Sequence, residues 1–498
     1  MSASSSLPSE AITKSIFICD CGKLYRSVCA GESFYKEHEG KQYCVLHFPG
    51  KEKSEDFATA LRRKLNAEDF DFRGVWFPDE VSFSGITFNT DAYFSVAVFS
   101  EDANFNRATF AEDVNFSHAT FEKYAGFGSA TFKREVDFGT TFKGEAYFRS
   151  AIFKREANFE TAKFGGEADF IAATFNAEAR FDHVTFNGVA AFFDATFKAE
   201  ARFANSTFNN VAGFSNAVFN ADARFANSTF DAAASFSFAI LKEHVTFSAH
   251  TEGLGFTDQS SLEFQHARIE KPEHVSFYTL TLRPHWFVNV DARKFDFTNV
   301  EWRGGLKHRH IKQEIEDLKK NKISSPHRLL AIACRQLAVN AEENHRYEEA
   351  SKFRYWAMDA RRRESRFGFA PWKLGWWYWA ASGYGERVFR AFLVLLGVWL
   401  LFAWLYTQPN TNRLSVQPNI GFAYQPRTSN GAAISPDESI EPLEFMDALT
   451  YSAGVMTLQK PEPRPATRLA RGLVLLETIL GPLQAALLAL AIRRKFMR

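Results

Sequence analysis

The sequence predicts a multidomain chain: a β-solenoid of about 22 residues per coil, a helical hairpin, and two transmembrane helices with a short re-entrant helix between them. Three observations predict it. Phe83, Phe94, Phe105, Phe116, Phe127 and Phe138 fall every eleven residues, and Phe148, Phe159, Phe170, Phe181, Phe192, Phe203, Phe214, Phe225 and Phe236 resume the series after a one-residue slip near Thr140. The hydrophobic period turns helical after Leu306. Val388 to Tyr406 and Gly472 to Ile492 are apolar runs, each long enough for ~30 Å of hydrocarbon.

A fixed short period is the mark of a solenoid. A second series lies five residues after the first, at Phe88, Phe99, Phe110, Phe121, Phe132, Phe164, Phe175, Phe186, Phe197, Phe208, Phe219 and Phe230. Two positions before each Phe stands a small or β-branched residue, as in Ala103-Asn104-Phe105, Val114-Asn115-Phe116, Ala173-Thr174-Phe175 and Ser206-Thr207-Phe208. In a strand, residues i and i−2 share a face, so both point inward and the residue between them points out. Arg180, Arg202 and Arg224 recur in that outward slot every 22 residues, with Ala191, Gly213 and Ser235 half-way between. A 22-residue coil stacks Arg on Arg; an 11-residue coil would alternate Arg with small residues. The expectation is a four-sided coil with four inward Phe. About seven coils from Phe83 to Phe236, at a strand spacing of ~4.8 Å, make a rod roughly 35 Å long.

This pattern resembles the pentapeptide-repeat family, whose fold is a right-handed β-helix with a large apolar residue at the centre of each five and a small one two positions earlier. The resemblance covers residues 67–305. Two features depart from it: the centre is nearly always Phe where Leu is commoner, and the spacing alternates five and six. Past Phe236 the pattern loosens. Leu241 takes a Phe slot, and Phe264 with Ile269, Phe277 with Leu282, and Phe297 with Trp302 keep the spacing of five.

Residues 1–14 read as a disordered tail. Residues 15–66 carry four of the five Cys of the chain. Met1 to Glu10 lacks the basic end and apolar core of a signal peptide, so these Cys are expected in a reducing cytoplasm, where clustered thiols more often bind metal than pair. Cys19, Cys21, Cys29, Cys44 and His47 are the candidate ligands of a structural zinc, which takes four S or N donors. Cys29 is an alternative to Cys19, and His38 is a weaker candidate. The site is expected to cap the first coil, whose bare strand edges invite aggregation. Residues 51–66, with Leu61 and Leu65, read as a charged amphipathic helix leading into that cap.

The net charge is +1, and Asp71 to Glu243 holds 23 acidic against 15 basic residues. That balance is a solvated surface and not a DNA mimic, and no nucleic-acid partner is expected. Thr109, Thr120, Thr131, Thr174, Thr185, Thr196, Thr207 and Thr229 form an outward ladder, explained by the β-propensity of Thr. No Ser-His-Asp set or paired carboxylates stand out along the rod, so no enzyme is expected.

Residues 306–366 read as helical: Lys307 to Lys320, then His327 to Asn344 after an N-cap at Ser325 with Pro326 at the first helical position, then Tyr347 to Glu364. The spacing of Leu337, Ala338, Ala350 and Ala357 is similar to one tetratricopeptide hairpin. Residues 367–387 crowd Phe367, Phe369, Trp372, Trp376, Trp377, Tyr378 and Trp379 beside basic residues, which suits an amphipathic helix in the headgroup layer.

Residues 388–498 form the membrane domain. Arg493, Arg494, Lys495 and Arg498 follow the second span and basic residues precede the first, so both ends are expected in the cytoplasm of a multi-pass plasma-membrane protein. Phe445 to Thr457 is apolar but too short to span. Span, short helix, span resembles the two-helix potassium-channel pore module; Ala448-Leu449, Tyr451-Ser452 and Thr457 match its pore helix, and Glu477 to Gly481 the start of its inner helix. Where that family has a Gly-Tyr-Gly filter, this chain has Thr457-Leu458-Gln459-Lys460-Pro461, which cannot line up successive carbonyls for potassium. Thr457, Leu458, Gln459, Glu477, Gly481, Pro482 and Gln484 are the candidate pore residues. Glu477, an acid inside a span, and Gln484 on the same face suggest a polar path between subunits of a homo-oligomer; the alternatives are that Glu477 snorkels to the outer interface, or hydrogen-bonds the short helix and holds it in place. Two functions follow: a weakly selective ion pore gated by the solenoid, or a non-conducting anchor presenting the solenoid to a protein partner.

Overall fold

The computed structural model describes residues 17–21, 27–29, 31–250, 255–306, 310–364, 373–408, 444–459 and 468–496. The tail at 1–14, Gly22, Phe367, Phe369, Trp372, most of the linker between the spans, Lys460, Pro461 and Pro463 lie outside the described residues. The chain divides into two compact units, 1–318 and 319–498.

The first unit is a right-handed-type β-solenoid of about ten turns with ~22 residues per turn. Its four faces are parallel sheets of ten, eight, nine and nine strands. Most strands are two residues long, because each face holds only an outward residue and one neighbour before the chain turns. Arg180 pairs with Arg202 and Arg202 with Arg224, which fixes the 22-residue coil. The coils run on past Phe236 to Asp296–Thr298, so the rod is longer than the seven coils that the regular Phe series suggests.

The Phe rings form four columns. Along one of them Phe127, Phe148, Phe170 and Phe192 stack nearly parallel, with centroids 4.7–4.9 Å apart. That separation is the strand spacing, so the backbone ladder sets the ring stack. Adjacent columns meet edge to face, as Phe170 and Phe181 do at 5.4 Å and 87°. The inward small residues, Ala103, Val114, Ala173 and Ser206 among them, are buried beside the rings.

The alternation of five and six residues has a backbone cause. In each five-residue step the residue two after Phe is left-handed: Val96, Arg107, His118, Ser129, Ser150, Thr161, Ala172, His183, Asp194, Asn205, Asn216, Asn227 and Phe238 have φ between 55° and 65°. Asn and Asp adopt that conformation readily; Val96 and Thr161 hold it at a steric cost. The slip at Thr140 is the loss of this one residue. Phe138-Gly139-Thr140-Thr141-Phe142 steps by four without a left-handed residue, and Thr120 pairs with Thr141, 21 residues on. Thr140 then fills the inward slot, where its hydroxyl donates to the Phe116 carbonyl at 2.8 Å. At the six-residue corners Gly144, Gly166 and Gly188 lie one above the next, so close that a Cβ on Gly188 would sit 2.2 Å from the Gly166 carbonyl oxygen.

The outward slot is not always solvent. Asp169 is fully buried, bound by Arg149 at 2.8 Å and accepting the Ile171 amide at 2.8 Å.

Both ends of the rod are covered. Helix α1 (Ser54–Asn66) buries Phe57, Ala60 and Lys64, while Leu61 and Leu65, expected to face inward, stay half-buried. Phe57 meets Phe77 edge to face at 5.4 Å, while Phe77 stacks on Phe99 at 4.4 Å. At the other end α2 (His310–Lys320) buries Ile311, Glu314, Ile315 and Leu318. Glu314 takes Arg283 at 3.1 Å and His285 at 2.6 Å, and Asp317 takes Arg283 at 2.5 Å.

The second unit opens with α3 (Pro326–Glu343) and α4 (Tyr347–Arg363), an antiparallel pair that buries Leu337, Ala338, Ala350 and Ala357. Ser325 precedes α3 but does not cap it: its φ of 55° is left-handed, and its side chain makes no capping hydrogen bond. Then come α5 (Leu374–Ser382), α6 (Val388–Tyr406), α7 (Phe445–Met456) and α8 (Arg468–Phe496, with Pro482 inside it). Helices α6 and α8 are long and apolar enough to cross a membrane.

Candidate functional site

Two places gather polar chemistry. The first is the N-terminal knob. An antiparallel hairpin, Phe34–His38 with Lys41–Cys44, ends at Cys44, and the next turn brings His47 beside it. Asp20 pairs with Gln42 through its amide (2.8 Å) and its carboxylate (2.7 Å), which lays Cys19 and Cys21 against that strand. The ligand atoms of Cys19, Cys21, Cys29 and His47 all lie within 4.8 Å of one another. The Cys44 thiol adjoins them, 3.5 Å from Cys29 and 3.2 Å from His47 Nδ1. His38 is not in the cluster; its ring lies against Phe48.

His47 turns Nδ1 to the thiols, and its Nε2 is 3.0 Å from the Arg73 carbonyl. With the proton on Nε2 donated to that carbonyl, Nδ1 keeps the lone pair a metal needs. Hydrogen bonds from Cys21, Cys29 and Cys44 hold Cys19 far below the usual thiol range. Burial works against a charged His47, yet bonds to Cys19, Cys21 and Cys44 push it up to about 12. The donor set of soft thiolates and one imidazole fits zinc.

The knob also closes the sheet edge. The Trp76 amide donates to the Leu46 carbonyl at 3.1 Å, in the way that Val98 donates to Val75 at 2.9 Å one coil later. Lys53, fully buried, donates to the same Leu46 carbonyl at 2.8 Å and lies over the rings of Phe57 and Trp76; burial brings it down to about 7.

The second place is inside the helices of the second unit. Glu477 of α8 is fully buried and accepts from Tyr406 of α6 and Ser452 of α7. Trp399 donates to the Leu449 carbonyl at 3.0 Å, a second tie between α6 and α7. Gln484 donates to the carbonyls of Ala391 (2.8 Å) and Ala381 (3.0 Å). Gly481 lets the last turn of α7 close on α8: a Cβ there would lie 2.8 Å from Met456 Cγ. Glu477 and Gln484 are thus both engaged by groups of this chain. Thr457 bonds back to Ala453 at 2.9 Å, Gln459 to Gly454 at 2.9 Å, and Leu458 is exposed at φ 60°. These three finish α7 and build no carbonyl cage.

A family model described as pentapeptide repeats (9 copies) matches residues 94–141, 148–196 and 192–240. The repeat is a pentapeptide repeat. Neither the curated proteins nor the solved structures yield a match. No family match bears on residues 388–498.

The pentapeptide-repeat solenoid carries ordered charge on its flank. Arg180 lies 2.8 Å from Glu160, Arg202 2.9 Å from Asp182, and Arg224 3.2 Å from Glu200, so the Arg column is matched by acids from neighbouring corners. Sequence reasoning missed several groups that coils bring together. His244 and His274 stack at 3.9 Å beside Glu243, which Lys271 holds at 2.6 Å. Arg283, His285 and Glu314 were equally invisible. The coil register, Val245 against Val275, is the signal that places His244 over His274.

Proposed function

We propose that the protein is a membrane-anchored scaffold, in which α6 and α8 cross the bilayer and the pentapeptide-repeat solenoid offers its surface to a protein partner. The observation that supports it best is exposure. Only 17% of the most apolar window of each helix is buried, leaving Phe389, Leu401, Trp404, Leu475, Ile479 and Leu483 open. A soluble helical core would cover these side chains; lipid covers them at no cost. The polar groups along the same helices are satisfied internally, as a hydrocarbon surrounding requires. At ~1.5 Å per residue, α7 is about 18 Å long, too short for a crossing, and it lies as a re-entrant helix against both spans. Basic residues at the start of α6 and the end of α8 put both termini in the cytoplasm. The test is membrane partition: the full chain should resist alkaline extraction and yield to detergent. Recovery in the wash would end this reading.

A second reading, an oligomeric and weakly selective pore, draws on one observation: α7 packs between α6 and α8 around Ala403, Tyr406, Ala448 and Tyr451. Ion flux through protein in liposomes separates the two. In either reading Cys19, Cys21, Cys29, Cys44 and His47 supply the donors of a structural zinc that pins the knob on the first coil.

A further inference from the structure

We infer that the pocket between the α3–α4 pair and α5 holds the phosphate headgroup of an anionic phospholipid, an inference that rests on the membrane reading above. The pocket, of about 280 Å³, is lined by Arg335 of α3, Arg361 and Arg362 of α4, Lys373, Trp376 and Tyr384, among others. Four of its lining residues are cationic and none is acidic. Arg335, Arg361 and Lys373 are exposed and reach its rim.

Two features make it a built site. Arg362 is fixed in place: it donates to Asp359 at 2.6 Å and lies over the Trp379 ring at 4.2 Å. Tyr384 is 3% exposed, and its hydroxyl lies beside the Arg362 guanidinium, which can donate to the phenolic oxygen but cannot accept its proton. A buried hydroxyl proton without an acceptor is costly, and a phosphate oxygen would supply one. Guanidinium groups bind phosphate with paired, charge-assisted hydrogen bonds.

The surroundings choose the source of the phosphate. On α5 beside the pocket, Leu374 is 86% and Trp377 57% exposed. An exposed Leu and Trp next to a basic cleft suit the boundary between headgroups and acyl chains, and basic pockets on the cytoplasmic side of membrane helices bind such headgroups.

The test uses the full chain in a neutral detergent and follows its melting temperature. Short-chain phosphatidylglycerol should raise it by several degrees, by linkage, and the zwitterionic short-chain phosphatidylcholine should not. The combined variant Arg335→Gln, Arg361→Gln, Lys373→Gln should lose the shift. Tyr384→Phe, which removes one hydroxyl, should weaken it, and decides the matter if the triple variant melts early without lipid. Equal shifts with both lipids, or a shift that survives both variants, would overturn the site. An equal shift from inorganic phosphate, lost in the variants, would overturn the lipid as its source. A chain that leaves membranes on alkaline washing fails the membrane reading; one that stays but shows no phosphatidylglycerol shift fails this inference alone.

Discussion

Tyr406 and Glu477, 71 residues apart in sequence, share a hydrogen bond inside the apolar helices, and Ser452 of the short helix between them joins the same carboxylate. One acid thereby ties α6, α7 and α8. Glu477→Ala takes away the carboxylate that Tyr406 and Ser452 share and leaves Ser452 the Trp399 carbonyl at 3.3 Å, at a cost of about 1–3 kcal/mol. Its melting temperature in detergent should fall well below that of the wild type, and Glu477→Gln, which keeps an acceptor, should fall less. In liposomes the anchor reading expects wild type and Glu477→Gln to be equally tight. A cation leak in the wild type that Glu477→Gln reduces would establish the pore instead.

The ring columns leave no slack. Phe203→Ala opens a cavity between Phe181 and Phe225, stacked at 4.9 and 5.0 Å, and should cost about 3–5 kcal/mol. Arg202→Ala removes the ion pair between the part-exposed Arg202 and the buried Asp182, which keeps the Ala204 amide, and should cost less, about 1–2 kcal/mol. Denaturant titrations of the two variants check this; equal losses would contradict the inward and outward assignment.

Val96 holds φ 59° with a β-branched side chain. Val96→Asn puts there the residue that Asn205, Asn216 and Asn227 already place at equivalent corners, and should stabilise by roughly 1 kcal/mol. The reverse change, Asn216→Val, should destabilise by a similar amount. A thermal melt of each variant reads the sign.

Glu314 is nearly inaccessible, and burial would raise its pKa. The charge and hydrogen bond of His285, together with Arg283, outweigh burial and hold it below the usual carboxylate range. A depressed folded pKa contributes stability above the unfolded value of about 4.3 and loses it as pH falls through the folded one. Wild type should therefore be more stable than Glu314→Gln at neutral pH, with the gap closing in acid. A gap that is flat from neutral pH into acid would show that Glu314 does not ionise in the fold.

The purified chain should carry about one zinc per molecule, the capacity of a single four-donor site. Cys29→Ser combined with Cys44→Ser, which leaves three donors of the five, should abolish it. Chelation should then loosen the Leu46–Trp76 edge, seen as faster exchange of the Trp76 amide. Metal analysis of folded wild type that finds no zinc would leave the five residues as a packed thiol cluster.

The sequence by itself determined the rod. Its 22-residue coil follows from where Arg180, Arg202 and Arg224 recur, and its inward face from Phe and the small residue two positions before it, because side-chain direction in a strand is a matter of parity. It also determined α6 and α8, since length and apolarity are local properties. Only the tertiary structure decided which groups meet. The left-handed residue at each five-residue corner, and its loss at Thr140, is a backbone state that so permissive a choice as Arg107, His118 or Ala172 does not announce. Glu477 read either as a lining residue or as a tie to the short helix, and its partners, Tyr406 and Ser452, lie on other helices that only packing brings to it. The same holds for Glu314 with Arg283, and for Asp169, whose outward slot is buried under Arg149. Periodicity reports which way a side chain points, while a buried charge is stabilised by what another segment brings to it, and that is a fact of packing.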